Sequence, residues 1–359
     1  MNENASDRSF LNHLGVSVPL LSAPMGVRLP PSFVAAVCNA GALGVVPADD
    51  IDDLPGYLRT LRALTDRPFA VAIRTPEIKL YPLSEEAAKH WAAIFLRRYE
   101  SLIRDYRPDW TIEALTERFR IFEPQAAFEE RFRTALAARP AAMIATYGAF
   151  REPEEDALRE AGVLNIAVAT SLKEAKIARA ARADALIVQG AEAGGPRWSF
   201  SDRGSAVGLF SLLPHVRRAT GLPLIAAGGI VTPEQVRAAR ALGAEAVMAG
   251  SAFLPTQEAG ADGFYAWAAT DSTPVDYVCG PFEGGADGWY LRNDFVSELA
   301  SEVRGGERAP AGLFEPLTKI LREAALAAND GARVALSFGQ GAGRIPYTSV
   351  ADVVRSLSA

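Results

Sequence analysis

One stretch, Pro223 to Glu258, restricts the fold more than any other part of the chain. It reads PLIAAGGIVTPEQVRAARALGAEAVMAGSAFLPTQE. Pro223 to Ala227 is a short apolar run closed by Gly228-Gly229, which reads as a buried strand ending in a tight turn. Thr232, Pro233 and Glu234 supply an N-cap, a first-turn proline and an acidic first turn. A helix follows, with one apolar stripe through Val236, Ala239 and Leu242, and stops at Gly243. Ala246 to Ala249 is a second strand, closed by Gly250-Ser251. The unit is strand, glycine turn, helix, strand, glycine turn. Two such turns side by side bring backbone N–H groups together, and the serine hydroxyl adds a donor; this is an anion site. The last two strands of a (β/α)8 barrel often carry a phosphate site of this kind.

The rest of the chain repeats the rhythm. Pro19 to Gly26 is a strand ending in a Pro-Met-Gly turn, and a helix over 31–39 and a strand at 43–46 follow. A helix over 52–64 and a strand at 69–73 complete a βαβαβ run with short connections, which favours a parallel sheet. Residues 75–140 contain no strand-like run. Helical periodicity covers 85–106, 111–121 and 125–138, so this is a helical insertion after strand 3. Its aromatics Trp91, Phe95, Tyr99, Trp110, Phe119, Phe122, Phe128 and Phe132 are expected to form its core against the barrel, with one or two roofing the active site. Strands resume at 141–146, 163–169 and 185–188. Eight strands make an α/β fold, a (β/α)8 TIM barrel over 1–258, with a mostly helical C-terminal extension, 259–359, packing on it and covering the site. Residues 276–288 read as loop, with helices near 293–303 and 312–328. The glycine-rich turn at Gly339 to Gly343 allows either close approach to a ligand or simply a tight turn.

Bulk properties remove several function classes. The 359 residues carry a net charge of -6 with no long basic run, which argues against nucleic acid. The two cysteines and three histidines are not at ligand spacing, so no metal site is expected. There is no signal segment and no membrane-length apolar stretch, so a cytoplasmic location is the expectation. A homodimer is compatible with the pattern.

Active sites of such barrels lie at the carboxyl ends of the strands. Here those ends are Ala23-Pro24-Met25-Gly26, Pro47, Arg74, Thr146-Tyr147, Thr170, Gln189 to Pro196, Gly228-Gly229 and Gly250-Ser251. That rim reads as poor in charged acid–base groups. It suits a flat, largely apolar ligand with a phosphate at one end, such as a phosphorylated flavin. The ring would lie against the first-strand turn and the phosphate on the last two turns.

Pro19 to Gly26, AGALG at 40–44, QGAEAGG at 189–195, AAGGI at 226–230, GSAFL at 250–254 and GQGAG at 339–343 together resemble the nitronate monooxygenase (2-nitropropane dioxygenase) family. The resemblance runs in order over nearly the whole chain. It implies non-covalent FMN and an oxidoreductase of the monooxygenase type. The ring would meet Ala23, Pro24, Met25 and Gly26. Gln189, Gly194 and Gly195 would lie near the ring and ribityl chain. Gly228, Gly229, Met248, Ala249, Gly250 and Ser251 would take the phosphate. Three departures stand out. The family's catalytic histidine position is Pro196 here, its third-strand asparagine is Ala72, and a frequent fourth-strand histidine is Thr146.

The catalytic group is therefore open. Tyr147 is either a packed aromatic or an acid, and Arg197 either a solvated loop charge or an anion anchor. Gln189 is either a flavin contact or a strand-end amide serving the loop backbone, and Met25 either a ring contact or core filler. The expected activity is oxidation of a small organic substrate, such as a nitro compound, a nitronate or a specialised metabolite, without a histidine base. O2 or NAD(P)H would be the second partner. The alternatives are an NAD(P)H-dependent enoyl or quinone reductase on the same barrel, and a non-catalytic flavin-binding barrel.

Overall fold

A computed structural model describes residues 10–25, 29–76, 82–122, 124–201, 206–260, 263–273, 276–283, 286–303, 306–310, 312–343 and 345–358. Eight strands follow one another: β1 (Leu20–Ser22), β2 (Gly44–Pro47), β3 (Phe69–Arg74), β4 (Ala142–Thr146), β5 (Leu164–Ala169), β6 (Ala185–Gln189), β7 (Leu224–Ala227) and β8 (Ala246–Ala249). All pairings are parallel, in the order β1-β8-β7-β6-β5-β4-β3-β2. The ring closes where Leu43 N–H donates to Leu20 O at 2.9 Å and Ser22 N–H donates to Leu43 O at 3.1 Å. This is a TIM barrel, as the alternation predicts.

Side chains of a strand alternate between its faces, and that alternation builds two concentric cores. Ala142 and Ile144 of β4, Ala185 and Ile187 of β6, and Ile225 and Ala227 of β7 join the inner cluster. Their neighbours Met143, Ala145, Leu186, Val188, Leu224 and Ala226 pack outward under the helices. Phe10 and Leu14 belong to the inner cluster too. Helices such as α1 (Pro31–Asn39) and α2 (Leu54–Leu64) lie where their apolar stripes place them. The helix Pro233–Ala241 carries the expected cap: Thr232 Oγ1 accepts from Gln235 N–H, and Gln235 Oε1 accepts from Thr232 N–H at 3.0 Å.

The insertion departs from the expectation in two ways. The helix expected over 85–106 is two, α3 (Glu85–Arg98) and α4 (Glu100–Tyr106). The break falls at Tyr99, whose buried hydroxyl donates to Phe282 O at 3.0 Å. Only Phe128 and Phe132, on the helix Pro124–Ala137, pack on the barrel, beside Phe150. Phe95, Tyr99, Trp110 and Phe119 instead join a second core with Val278, Phe282, Tyr290 and Phe314 of the C-terminal extension. Insertion and extension thus fold against each other.

The extension also corrects the loop reading of 276–288. Tyr277–Gly280 and Gly288–Leu291 form an antiparallel pair. Beyond it lie helices Asp294–Val303, Glu315–Ala327 and Val350–Leu357; the last returns to pack on α1. Among the described residues no helix is long and apolar enough to cross a membrane, and no cluster of His, Cys, Asp and Glu is placed to hold a metal ion.

Candidate active site

The carboxyl ends of the strands open into one cleft. Ala23, Pro24 and Met25 line it after β1, and Gln189, Gly194 and Gly195 after β6. Gly228 and Gly229 line it after β7, and Met248, Gly250 and Ser251 at the end of β8. Gly26 lies outside the described residues. Ala249 is not on the cleft wall; its carbonyl accepts from Ala23 N–H at 2.8 Å, tying the first turn to the last strand.

Three glycine turns meet here, backbone to backbone. Gly228 and Gly229 have φ of 116° and 68°, a region that favours glycine. A Cβ on Gly339 would lie 3.3 Å from Gly194 N and 3.4 Å from Gly229 N. The GQGAG turn of the extension is therefore docked on the turns after β6 and β7. Gln340 N–H donates to Glu192 O at 2.9 Å, and Gly339 N–H donates to Ser251 Oγ at 3.0 Å. Gly339 also lines the cleft, so the close-approach reading of that turn fits its position. A glycine can line a cleft only with its backbone, and the Ser251 hydroxyl retains its proton as a donor. Narrow backbone walls and converging amides suit a phosphate group.

Gln189 is buried, and its Oε1 accepts from Trp198 N–H at 2.9 Å. The loop bond expected of a strand-end amide is present, and it also orients the side chain. With oxygen held by Trp198, the NH2 end remains to face the cleft. Pro196 lines the cleft as well. Ala72 belongs to the inner core, and the carbonyl of Thr146 accepts from Thr75 N–H at 2.9 Å.

The expectation of a rim poor in charge does not hold. Asp50, Arg74, Glu283, Glu315, Lys319 and Arg322 line the same cleft. Asp50 closes a single helical turn after β2, and Arg74 ends β3. The others come from the extension. Glu315, Thr318, Lys319 and Arg322 share one face of the extension helix α5 (Glu315–Ala327), spaced at three and four residues. Arg74 Nη1 pairs with Glu315 at 3.2 Å, and Arg322 pairs with Glu283. Ser337 Oγ donates to the other Glu283 oxygen at 3.2 Å. Lys319 Nζ donates to Asp50 O at 2.7 Å.

Burial sets the protonation tendencies. It pushes the Asp50 carboxyl up to about 6, against the pull of Arg322. It also raises Glu315, with Arg74 opposing. For Arg74 burial works against the charge, but Glu315 and Tyr147 outweigh it and hold the guanidinium protonated.

Tyr147 lines the cleft below Arg74, whose guanidinium lies 4.6 Å from the ring centroid. Its φ of 58° is strained for a residue with a side chain. Burial raises its phenol, so it remains a proton donor. Arg197 does not line the cleft. It is buried, and its N–H donates to Asp287 O at 2.8 Å, so the solvated-charge reading fails and the anion-anchor role has no contact with this cavity. Asp50, Glu283, Glu315, Lys319, Arg322 and Gly339 were absent from the sequence-derived site. The signal was the polar spacing at 315, 318, 319 and 322 on the helix Glu315–Ala327.

A family model described as nitronate monooxygenase matches residues 8–359. The chain belongs to the nitronate monooxygenase family. It is accordingly an enzyme, a flavin-dependent oxidoreductase. A probable nitronate monooxygenase of Staphylococcus saprophyticus is 32% identical over 293 residues, 80% of this chain and 79% of that relative. A nitronate monooxygenase of Paraburkholderia phytofirmans is 30% identical over 99% of this chain and 96% of its own length. Among solved structures, nitroalkane oxidase from Streptomyces ansochromogenes superposes with a TM-score of 0.81 at 30% identity, covering 97% of this chain and 96% of that one. FabK from Thermotoga maritima, at 23% identity and a TM-score of 0.71, shares the fold.

Proposed function

We propose that this chain binds FMN and oxidises a small nitro compound, as the nitronate anion or its neutral nitroalkane, with O2 as the final electron acceptor. The observation that carries the reading is the meeting of three glycine turns in the cleft that Arg74 and Lys319 also line. The turns at 194–195, 228–229 and 339–343, with Gly250 and Ser251 beside them, would grip the phosphate. Ala23, Pro24 and Met25 would lie along the ring, and the Gln189 NH2 would reach its polar edge. When bound, FMN supplies a two-electron acceptor.

The chain's own contribution is to hold an anion. A nitronate carries its charge on two oxygens, which a guanidinium matches with paired N–H donors. Arg74 is fixed by Glu315, and Lys319 is fixed by Asp50 O, so both cations are pre-placed. Tyr147 adds an O–H donor on the same wall. The neighbouring nitroalkane oxidase and nitronate monooxygenases support the nitro-compound reading.

Anaerobic reduction tests it. Purified protein is expected to show flavin absorbance, to bleach with ethyl nitronate, and to recolour with uptake of O2. Bleaching by NADPH alone, with no response to nitronates or nitroalkanes, would replace the reading with a reductase. Protein that stays colourless in excess FMN would refute it outright.

A further inference from the structure

A second cavity of about 430 Å³ adjoins the cleft, within the size range of small-molecule sites. The two share a wall of Asp50, Arg74, Tyr147, Glu315 and Lys319. The rest of the second cavity joins an apolar patch of Phe122, Phe128, Phe200 and Ile320 to a charged rim of Asp49, Asp52, Glu323, Arg118 and Arg131. Its shape is that of a chamber for the body of a molecule whose reacting end reaches the wall.

Asp50 differs from the acidic residues beside it around the second cavity. Asp49 Oδ2 accepts from Arg74 N–H at 2.7 Å, and Asp52 Oδ1 pairs with Lys319 Nζ at 3.5 Å. Glu283 pairs with Arg322, and Glu315 pairs with Arg74 through Oε1, its buried Oε2 having no hydrogen-bond partner among the described residues. The Asp50 carboxylate makes no hydrogen bond and no ion pair among the described residues; only its backbone carbonyl is engaged. The turn that carries it is clamped, since Arg131 Nη1 donates to Ala48 O at 2.6 Å and to Ile51 O at 2.9 Å. The charged groups facing it are Arg74 from β3, Lys319 and Arg322 from α5, and Asp49 from its own turn.

A carboxylate with free lone pairs, at the seam of two cavities and ringed by cations, has the geometry of a general base for a carbon acid. We propose that Asp50 is the proton acceptor of this chain, and that the adjoining chamber holds the apolar body of the nitroalkane it deprotonates. The assignment rests on the nitro-compound reading above. In the step, the C–H bond alpha to the nitro group breaks. The proton goes to an Asp50 carboxylate oxygen, and the electron pair stays on the substrate as a nitronate. One negative charge moves from Asp50 to the nitro oxygens, beside Arg74 and Lys319. Burial keeps the carboxyl near 6, close to where a base works best around neutral pH.

The readout is exchange of the alpha hydrogens in D2O, followed by proton NMR with flavin-loaded protein under anaerobic conditions. The probes are 1-nitrohexane, nitroethane and the preformed nitronate of 1-nitrohexane. Asp50→Asn is expected to lower enzyme-catalysed exchange at least ~100-fold. Flavin bleaching by the preformed nitronate is expected to stay within about fivefold, since an anion needs no base. Ala127→Trp, at an exposed position on the chamber's wall, is expected to raise KM for 1-nitrohexane about tenfold and leave nitroethane unchanged. An Asp50→Asn protein that exchanges like wild type, or that loses the nitronate reaction equally, overturns the base assignment alone. Equal effects of Ala127→Trp on both nitroalkanes overturn the chamber. Flavin-loaded wild type that exchanges neither nitroalkane overturns the nitro-compound reading and the base assignment with it.

Discussion

Gly194→Ala tests whether the extension's glycine turn is part of the phosphate grip. The added Cβ would overlap Phe338 C and Gly339 N, and would lie 2.9 Å from Phe338 Cα. These are backbone atoms, so no side chain can swing aside. Ordinary carbon contacts need roughly 3.5–4 Å, so the 338–340 turn must retreat by about 1 Å. Three bonds depend on its present place: Gly339 N–H to Ser251 Oγ at 3.0 Å, Gln340 N–H to Glu192 O at 2.9 Å, and Phe338 N–H to Trp289 O at 3.2 Å. At about 1 kcal/mol net each, their loss costs about 2–4 kcal/mol with the strain. If those turns hold the FMN phosphate, that cost falls on the bound state. The expected outcome is a Kd for FMN weakened roughly 30- to 1000-fold. Flavin-fluorescence titration measures it, with thermal melts of the apo and loaded protein alongside. Gly221→Ala is the control: its φ is 66°, but nothing lies within 4 Å of the added Cβ. It is expected to lower Tm through about 1 kcal/mol of backbone strain and leave Kd unchanged. A Gly194→Ala protein that binds FMN within about twofold of wild type refutes the reasoning.

Two further outcomes concern carboxylates whose environments pull in opposite directions. Glu174 is fully buried; it accepts from Ser199 Oγ at 2.8 Å, Phe200 N–H at 2.7 Å and Thr170 N–H at 2.7 Å, which pins the loop after Pro196. Burial pushes its carboxyl up, but the bonds from Ser201, Thr170 and Ser199 outweigh it and hold it below the ordinary value. Its stabilisation is therefore present above the ordinary carboxylate range and lost as pH falls through the lowered folded value. Glu174→Gln is expected to lose about 2–4 kcal/mol at pH 7 by urea melt, with the gap to wild type closing in acid. Asp50 has the reverse sign. Its folded value near 6 means that the folded state binds more protons than the unfolded chain between about 4 and 6. Stability falls as pH rises through that window, by an amount on the order of 1–3 kcal/mol. Asp50→Asn is expected to melt above wild type at pH 8 and level with it near pH 4; a variant that melts lower at pH 8 contradicts the burial argument.

The barrel and the glycine turns of the cleft were legible because short-range rules govern them. Apolar runs closed by glycine mark strand ends wherever they occur, and Gly228-Gly229 and Gly250-Ser251 sit where that rule places them. The hairpin at Tyr277–Gly280 and Gly288–Leu291 was not legible, since four-residue strands without clean alternation carry little signal. Nor was the charged wall. The polar face of the Glu315–Ala327 helix has the same spacing whether it meets water or a cleft. Only its docking, with Lys319 on Asp50 O and Glu315 on Arg74, shows which. Arg197 misled for the converse reason: a position beside a strand end does not say which way the side chain turns.

The division between legible and hidden residues follows the two cores. The glycine turns at 194–195, 228–229 and 250–251, proposed to grip a phosphate, belong to the barrel, and the Gly339 turn docks on them from the extension. Of the charged wall, Asp50 and Arg74 come from the barrel and the rest from the extension, whose Phe314 packs in the second core 4.9 Å from the Phe95 ring and 6.0 Å from that of Phe119. Phe314 directly precedes Glu315, so the aromatic cluster shared by insertion and extension sets the position of the Arg74 partner and of the Lys319–Arg322 face. Changes within that cluster can move the charged wall and leave the glycine turns untouched, because β6, β7 and β8 hold those turns without it. On the proposed reading, a barrel arranged this way separates retention of the cofactor from choice of substrate, so the residue that takes a proton need not come from the strand end beside Pro196.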